Sequence, residues 1–411
     1  MPTLPNTLTF QIFNRFPAGT GQVYASISGY DATNNGKLYM LTEDGTSRYY
    51  PDSPPPPPPP PEPYTPVKVT APVNIPLAEP GKSINVTVPK TNVGRINFSV
   101  KNKLTFYLNN GPALVEPSVT NESADPTNYT TQWGFCEFSY NDIELFGNIS
   151  YVDFIGVPVA LEMKDPSGKI QSAKGLASNG INVIANLMKQ QTAADGQPWK
   201  SLVIQDGQNN NLRILSPNQG ILLKATENLF ATYYDAYVSQ AWQKYTPANP
   251  LAINTQNGNW GTVYGAVDNS GNMIFNSPYL PGGTWSFRKP VAKEIFNCSI
   301  APFSDVNDLR GNISARLGAA LNRTTLLLSG VQPPVNSDQG TYYKNNPTNH
   351  YSRILHNVNV DGLGYAFPYD DVEPDKGGKP LSGKVSGIPA SFTVTVGGTQ
   401  NGVQTVRKLE L

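Results

Sequence analysis

The 411 residues carry 30 Lys+Arg and 30 Asp+Glu, a formal net charge of zero. That balance leaves no electrostatic footprint for nucleic acid or an anionic membrane surface. No apolar run approaches the roughly 18–20 residues of a membrane helix. Charged residues make up only 15 % of the chain, against 36 Gly, 38 Pro and 21 Tyr. Such a composition suits a β-rich extracellular chain with many turns and an aromatic, polar surface. The length accommodates two domains, or one large β domain with a substantial insertion.

In chain order, Leu8–Phe13, Gln22–Ile27 and Lys37–Leu41 alternate in polarity and are separated by PAGTG and DATNNG, with EDGT following. This spacing predicts a β-meander. The proline run Pro54–Pro61 reads as an exposed polyproline II segment, a loop or linker rather than a packed element. Strands resume at Ser83–Val88, Arg95–Val100 and Leu104–Leu108. Then comes WGFCEFSYNDIELFGNISYVDFIGVPVALEM, Trp133–Met163, which reads as two long strands joined by a polar connection. Beyond about Ala173 the period changes. Gly180–Gln191, Leu229–Tyr245 and Leu309–Thr324 repeat near 3.6 residues and predict helices. Strand-like pieces lie between them at Ser201–Ile204, Leu212–Leu215, Thr262–Val267 and Met273–Phe275, and Ser391–Val396 reads as a last strand. The expected architecture is a mainly β domain over 1–175, with a Pro-rich loop at 52–66, a mixed α/β domain over 176–345, and a return to the β domain over 346–411.

Cys136 and Cys298 leave two readings open: one long-range disulfide, or two buried free thiols. No CxxC or HxxxH spacing supports a metal site, and His350 and His356 read as structural hydrogen-bonding residues. The N-terminal MPTLPNTLTF shows no basic region followed by an apolar core, so no signal peptide is visible. Eight Asn-X-Ser/Thr sequons, at Asn85, Asn97, Asn121, Asn128, Asn148, Asn297, Asn312 and Asn322, speak modestly for secretion. An extracellular protein is the expectation, with a cytosolic form as the open alternative.

No GxSxG elbow is present, and two histidines beside two cysteines give little room for a Ser- or Cys-based triad. No GxxxxGK[ST] or GxGxxG opens a βα unit. What remains is carboxylate chemistry on a surface rich in Tyr, Trp and Asn, the residue types that recognise sugar rings and hydroxyls. Glu137 and Asp153 sit inside the apolar runs of Trp133–Met163, where a carboxylate is costly unless paired, solvated by a cleft, or used. Glycosidic hydrolysis needs two carboxyl groups flanking the bond, about 6.5–9.5 Å apart in inverting enzymes. If the two strands are neighbours, a turn at Asn141-Asp142 would leave Asp153 roughly 23 Å from the position opposite Glu137. A connection centred near Leu145 would place them nearly opposite. The competing reading is that each carboxylate merely faces solvent. Asp370 and Asp371 could line the same cleft or simply form turns; Asp142 and Glu144 read as solvated.

The Trp133–Met163 stretch resembles the signature of glycoside hydrolase family 64, the β-1,3-glucanases with a thaumatin-like β-barrel. GRINFSV, KLTFYLNNG, DGQPWKSLVI, LRILSP, ALNRTTLL and HYSRILH…DGLGYAFPYDDV extend the similarity over nearly the whole chain in the family's order. The resemblance implies a β-barrel/sandwich domain with an inserted mixed α/β domain and a wide groove between them. It further implies a secreted, inverting endo-enzyme that converts linear β-1,3-glucan to short laminari-oligosaccharides. Glu137 then matches the general acid and Asp153 the general base that activates water. Ser139, Asn141, Phe146 and Ser150 match residues bordering the reacting sugar, with Phe146 where Trp is usual and Ser150 where Thr is usual. Neither acid role requires a metal or cofactor, and the expected state is a monomer with no nucleic-acid or membrane partner. Glu137 would have to hold a proton near working pH, which asks for partial desolvation or closeness to Asp153. Strand alternation turns Cys136 away from the groove. The runner-up is a non-catalytic thaumatin-like protein that binds β-1,3-glucan.

Overall fold

In this computed structural model, which describes residues 3–59, 64–120, 122–123, 125–304, 306–334, 339–375 and 380–399, alternating polarity builds two facing sheets. Along Thr7–Asn14 the residues Phe10, Ile12 and Asn14 point inward while Gln11 stays exposed, the period-2 signature of a half-buried strand. The first sheet has five strands among the described residues, in the order Ile170–Ala173, Val159–Lys164, Ser391–Val396, Thr7–Asn14, Ser83–Pro89. Its middle strand, Ser391–Val396, runs parallel to Thr7–Asn14, with Phe10 opposite Phe392, and antiparallel to Val159–Lys164.

The second sheet runs Lys384–Gly387, Leu145–Asn148, Trp133–Tyr140, Thr91–Val100, Val23–Asp31, Lys37–Leu41, Arg48–Tyr49, with Ile75–Pro76 also on Val23–Asp31. The sheets meet through aromatic rings: Phe10 of the first sheet packs edge-on against Phe138 of the second at 5.1 Å, with its own sheet neighbour Phe392 4.7 Å away. A Cβ on Gly147 would lie 3.3 Å from the Phe392 ring, so the small residue lets the sheets close.

The remaining elements are mixed. Leu251–Asn254, Thr262–Val267, Met273–Asn276 and Thr284–Phe287 form an antiparallel four-stranded sheet. Helices Gly180–Asp195, Asp235–Lys244, Leu309–Asn322 and His350–Val358 are the longest among the described residues. Trp199 is fully buried beside Phe230, Tyr233, Phe296 and His350. The protein is thus mainly β with a mixed α/β part.

Several sequence expectations are corrected. Residues 7–50 are not one meander, because Thr7–Asn14 pairs with Ser83–Pro89 and Ser391–Val396 rather than with Val23–Asp31. The predicted helix over Leu229–Tyr245 shortens to Asp235–Lys244: Asn228 and Phe230 take positive φ, 49° and 59°, and bury the aromatics without helical backbone. Helix His350–Val358 was not predicted, although His350, Tyr351, Ile354, Leu355 and Val358 repeat at helical spacing and Asn349 caps Ser352 N–H. The disulfide reading falls: both thiols are free and buried. Burial pushes each upward, with Glu137 adding to the rise at Cys136 and Asn322 opposing it at Cys298. Sequons at Asn97, Asn128 and Asn322 sit on buried side chains, which removes them as glycan acceptors in the folded chain. The sequon asparagine Asn121, with Pro60 and Pro61 of the proline run, lies outside the described residues.

Candidate active site

The residues Trp133, Phe135, Glu137 and Ser139 alternate onto one face of strand Trp133–Tyr140, while Gly134, Cys136, Phe138 and Tyr140 turn to the core. The aromatic half of the open face is buried; Glu137, with 37 % of its side chain exposed, marks where it reaches solvent. The chain then reverses at Asn141–Glu144, where Asn141 Oδ1 accepts from the N–H groups of Ile143 and Glu144. Tyr140 pairs with Leu145, Ser139 with Phe146 and Glu137 with Asn148. The pivot near Leu145 inferred from sequence is therefore wrong.

Asp153 does not sit on a neighbouring strand at all. Strand Leu145–Asn148 ends, Tyr151 N donates to Tyr365 O at 2.8 Å, and Phe154–Ile155 joins a separate sheet with Asn211–Leu215. The loop returns to the acid strand by aromatic and backbone contact. Phe154 packs on Trp133 at 4.6 Å and on Phe135 at 5.7 Å, and Val157 N donates to Trp133 O at 3.2 Å. A Cβ on Gly156 would lie 2.0 Å from Trp133 O, and one on Gly134 would lie 2.6 Å from Val157 N. Only glycine at both positions permits this approach. Asp153 itself is half-buried, with Oδ1 accepting from Gln219 Nε2 at 2.7 Å and its backbone carbonyl from Ser216 N at 2.9 Å.

Glu137, Ser139, Phe146 and Asn148 line one concavity of about 390 Å³ with Tyr30 and Arg95. Of the residues singled out in the sequence, this concavity gathers Glu137, Ser139 and Phe146. Asn141 is exposed at the turn, Ser150 is buried and bridged to Tyr365, and Asp153 lies along the Phe154 contact.

The Glyco_hydro_64 family model, described as β-1,3-glucanase, matches residues 6–396. The chain belongs to glycoside hydrolase family 64. It is 29 % identical over 292 residues to a glucan endo-1,3-β-glucosidase of Cellulosimicrobium cellulans, a match covering 71 % of this chain and 50 % of that protein. An Arthrobacter glucan endo-1,3-β-glucosidase matches at 28 % with the same coverage, so the chain spans about half the length of the curated relatives it matches. The crystal structure of a laminaripentaose-producing β-1,3-glucanase in complex with laminaritetraose superposes with a TM-score of 0.80 at 29 % identity, covering 96 % of this chain and 99 % of that one. A family 64 β-1,3-glucanase domain from Clostridium beijerinckii has a TM-score of 0.70 at 20 % identity, a likeness of fold.

This family 64 chain surrounds Glu137 with groups that sequence reasoning missed. Arg95 Nη2 donates to Glu137 Oε1 at 3.0 Å, its guanidinium lies over the Phe135 ring at 4.2 Å, and Arg95 Nη1 stands 3.9 Å from Glu116 Oε2. Burial pushes the Glu116 carboxyl above its ordinary value against the pull of Arg95 and Asn97, and Glu137 adds to the rise. Tyr365 bonds to Asp371 and lies near enough to feel the Glu137 charge; burial first, then Asp371 and Asp370, push its phenol upward. A period-2 reading of Thr91–Val100 places Arg95, Asn97 and Ser99 together, but Glu116 follows a short hairpin whose approach no local pattern announces. Of the two competing acids, Asp370 is fully buried between Arg323 and His356 at 3.0 Å each and cannot reach substrate, while Asp371 is exposed beside Tyr365.

Among the described residues no group of three or more His, Cys, Asp or Glu is placed to hold a metal, and no helix is long and apolar enough to cross a membrane.

Proposed function

We propose that the protein is an inverting endo-β-1,3-glucanase, with Glu137 protonating the leaving oxygen and Asp153 activating the attacking water. Its substrate is linear β-1,3-glucan, cut to short laminari-oligosaccharides by a secreted monomer. Family membership and the likeness to a laminaripentaose-producing glucanase support the reaction class. One observation carries the residue roles: the Phe154 contact with Trp133 and Phe135 fixes the loop of Asp153 onto the strand that presents Glu137. Two carboxylates held by separate supports, one in a sugar-sized concavity and one anchored by Gln219, suit an acid and a base with different tasks. Phe146 offers a ring for a sugar face, with Ser139 beside it in the concavity. In this reading the β unit of 1–175 and 346–411 and the mixed unit of 176–345 flank the groove, with helix His350–Val358 lying against Gly180–Asp195 of the mixed unit.

The test is hydrolysis of curdlan and laminarin by wild type, Glu137→Gln and Asp153→Asn, with proton NMR following the first-formed anomer. Wild type is expected to release oligosaccharides whose new reducing ends are initially α, and both variants to fold while losing at least about 10³-fold in rate. A wild type that binds curdlan without releasing sugar would favour the glucan-binding reading instead.

A further inference from the structure

Strand Thr91–Val100 carries an irregularity beneath the concavity. Gly94 pairs with Phe138 and Thr91 with Tyr140, so Asn92 and Val93 together stand opposite Ser139. On the other side Arg95 pairs with Ser28 and Asn92 with Tyr30, so Val93 and Gly94 together stand opposite Gly29. Val93 is thus the residue common to a β-bulge against both neighbours. Its φ is 50°, left-handed backbone that a β-branched side chain adopts only under strain. Glycine is what such a position usually holds. The chain does place glycine beside it, at Gly94 and Gly29, where a Cβ would meet the Phe138 ring at 2.5 Å and Thr91 Cγ2 at 2.4 Å. Among the described residues Thr324 is the other β-branched residue with positive φ; it is buried, and its hydroxyl bonds to Thr348 Oγ1 at 3.0 Å. Val93 has no such compensation. Its side chain is 77 % exposed, the highest value among the large apolar side chains described, so burial in the folded chain does not offset the strain.

A strained residue that the fold does not use directs attention to what it faces. Val93 lines the concavity with Glu137, Ser139, Phe146 and Tyr30. The pairings set Phe146, Ser139, Val93 and Gly29–Tyr30 in one row across four strands, and Asn148, Glu137, Arg95 and Ser28 in the next. Successive rows on one face of a sheet are two residues, about 7 Å, apart. A sugar over the Val93 row therefore neighbours the sugar at Glu137. We propose that Val93 is a substrate-binding residue: the double bulge raises its isopropyl group as an apolar ridge between Phe146 and Tyr30, under the C–H face of the glucosyl unit adjoining the bond to be cut. The chemistry of the row fits a neutral polysaccharide. It contains no charged side chain, it offers rings at its ends for the apolar faces of sugars, and the Ser139 hydroxyl stands beside the ridge for a sugar hydroxyl. Glucan then covers the methyl groups that the folded chain leaves in water, and the return on the strain comes in the complex.

The inference rests on the reading that Glu137 marks the catalytic concavity, and the experiment separates the two. Binding of laminarihexaose is measured by calorimetry on the Glu137→Gln background, and kcat/KM on laminarin in the otherwise wild-type enzyme. Val93→Gly takes up the left-handed backbone without strain and removes the side chain. Val93→Asn tolerates the same backbone and keeps a side chain of similar size, but a polar one. Both variants are expected to melt at or above the wild-type temperature, yet to weaken Kd for laminarihexaose and lower kcat/KM by about fivefold, the loss of part of one apolar side chain's contact. Val93→Ile keeps the apolar ridge and is expected to hold Kd within about twofold of wild type. Wild-type Kd and kcat/KM in both Val93→Gly and Val93→Asn would overturn the contact. A melting temperature several degrees lower in Val93→Gly would show that Val93 serves the fold instead, and would overturn it too. Weakening in Val93→Gly but not in Val93→Asn would trace the effect to backbone freedom and sink the apolar ridge. A Glu137→Gln enzyme that still cleaves laminarihexaose sinks the assignment of Glu137, and kcat/KM of the single variants then reads the Val93 contact by itself. An inactive Glu137→Gln enzyme beside unchanged Kd values sinks the Val93 contact alone.

Discussion

Phe154 stands edge-on to Trp133 with ring centroids 4.6 Å apart, and that contact ties the residue after Asp153 to the strand of Glu137. Glu137 and Asp153 are thus related by packing rather than by strand pairing. The backbone beneath the rings has to come as close as the rings do, and Gly134 and Gly156 make that approach possible.

Gly156→Ala therefore tests the geometry without touching an acid. The added methyl would meet Trp133 O at 2.0 Å, so the loop has to lift away. Displacement of about 1 Å at a reacting group costs on the order of 10²-fold in rate. The expected variant is folded by circular dichroism, melts several degrees lower, and hydrolyses laminarin about 10²-fold more slowly. Wild-type kcat with a lowered melting point would show that the loop position does not set the chemistry.

Asp370 gives a prediction about acid. Burial alone would raise its carboxyl, but His356, Arg323 and the Ala366 N–H outweigh burial and hold it below the ordinary value. A carboxyl depressed in the folded state binds fewer protons there than in the unfolded chain, so its contribution is full above about pH 4 and is lost as pH falls further. Asp370→Asn leaves Arg323 buried without its countercharge, a loss of roughly 3–5 kcal/mol. Urea titrations at pH 7 should show that difference, and the gap between wild type and variant should narrow as the pH is taken below 4.

The two thiols predict chemical silence. Cys136 and Cys298 are buried and unlinked. A thiol-reactive chromogen should find about zero accessible groups in the native protein and two after denaturation, and a reductant should leave the melting temperature unchanged. A melting point that drops with reductant would contradict the free-thiol structure.

The proline run has an anchoring role at its start. Pro54 O accepts from Asn110 Nδ2 at 2.7 Å, and Ser53 Oγ accepts from Gly111 N at 2.9 Å, both at the tip of the Tyr107–Asn109 and Ala113–Val115 hairpin. Tyr64 OH accepts from Asn110 N at 2.9 Å. Glu116 follows directly from that hairpin. Replacing Pro54–Pro59 by Gly and Ser should free the hairpin, lower the melting temperature by a few degrees and lower kcat on laminarin a few-fold, because Glu116 lines the concavity of Glu137. A melting temperature and kcat identical to wild type would mean that the proline brace does not reach the site.

Legibility divided along physical lines. Phe146 was named by the family resemblance alone, whereas the shared face of Glu137 and Ser139 was readable because strand alternation is a local pattern, and the strand is present. The route from Asn148 to Asp153 was not, because it is set by a contact between Phe154 and Trp133, twenty-one positions apart, and by a bridge to Tyr365 far downstream. Arg95 was visible as a charge in an apolar strand, yet nothing local joins it to Glu116. Helix His350–Val358 was legible in its spacing and was passed over, whereas the loss of helix before Asp235 depends on positive φ at Asn228 and Phe230, which hydrophobic period cannot reveal.

The order of the first sheet carries a consequence for biosynthesis. Its central strand, Ser391–Val396, lies between Thr7–Asn14 and Val159–Lys164, both of which leave the ribosome long before it. Until that strand arrives the two neighbours present unpaired edges, and Phe10 lacks the Phe392 ring it packs against. The half of the molecule that bears Glu137 therefore closes only once Ser391–Val396 has been made, after the mixed segment has had time to collapse on its own aromatic core. A translational stall before residue 391 would leave an open sheet edge of the kind that recruits chaperones or aggregates.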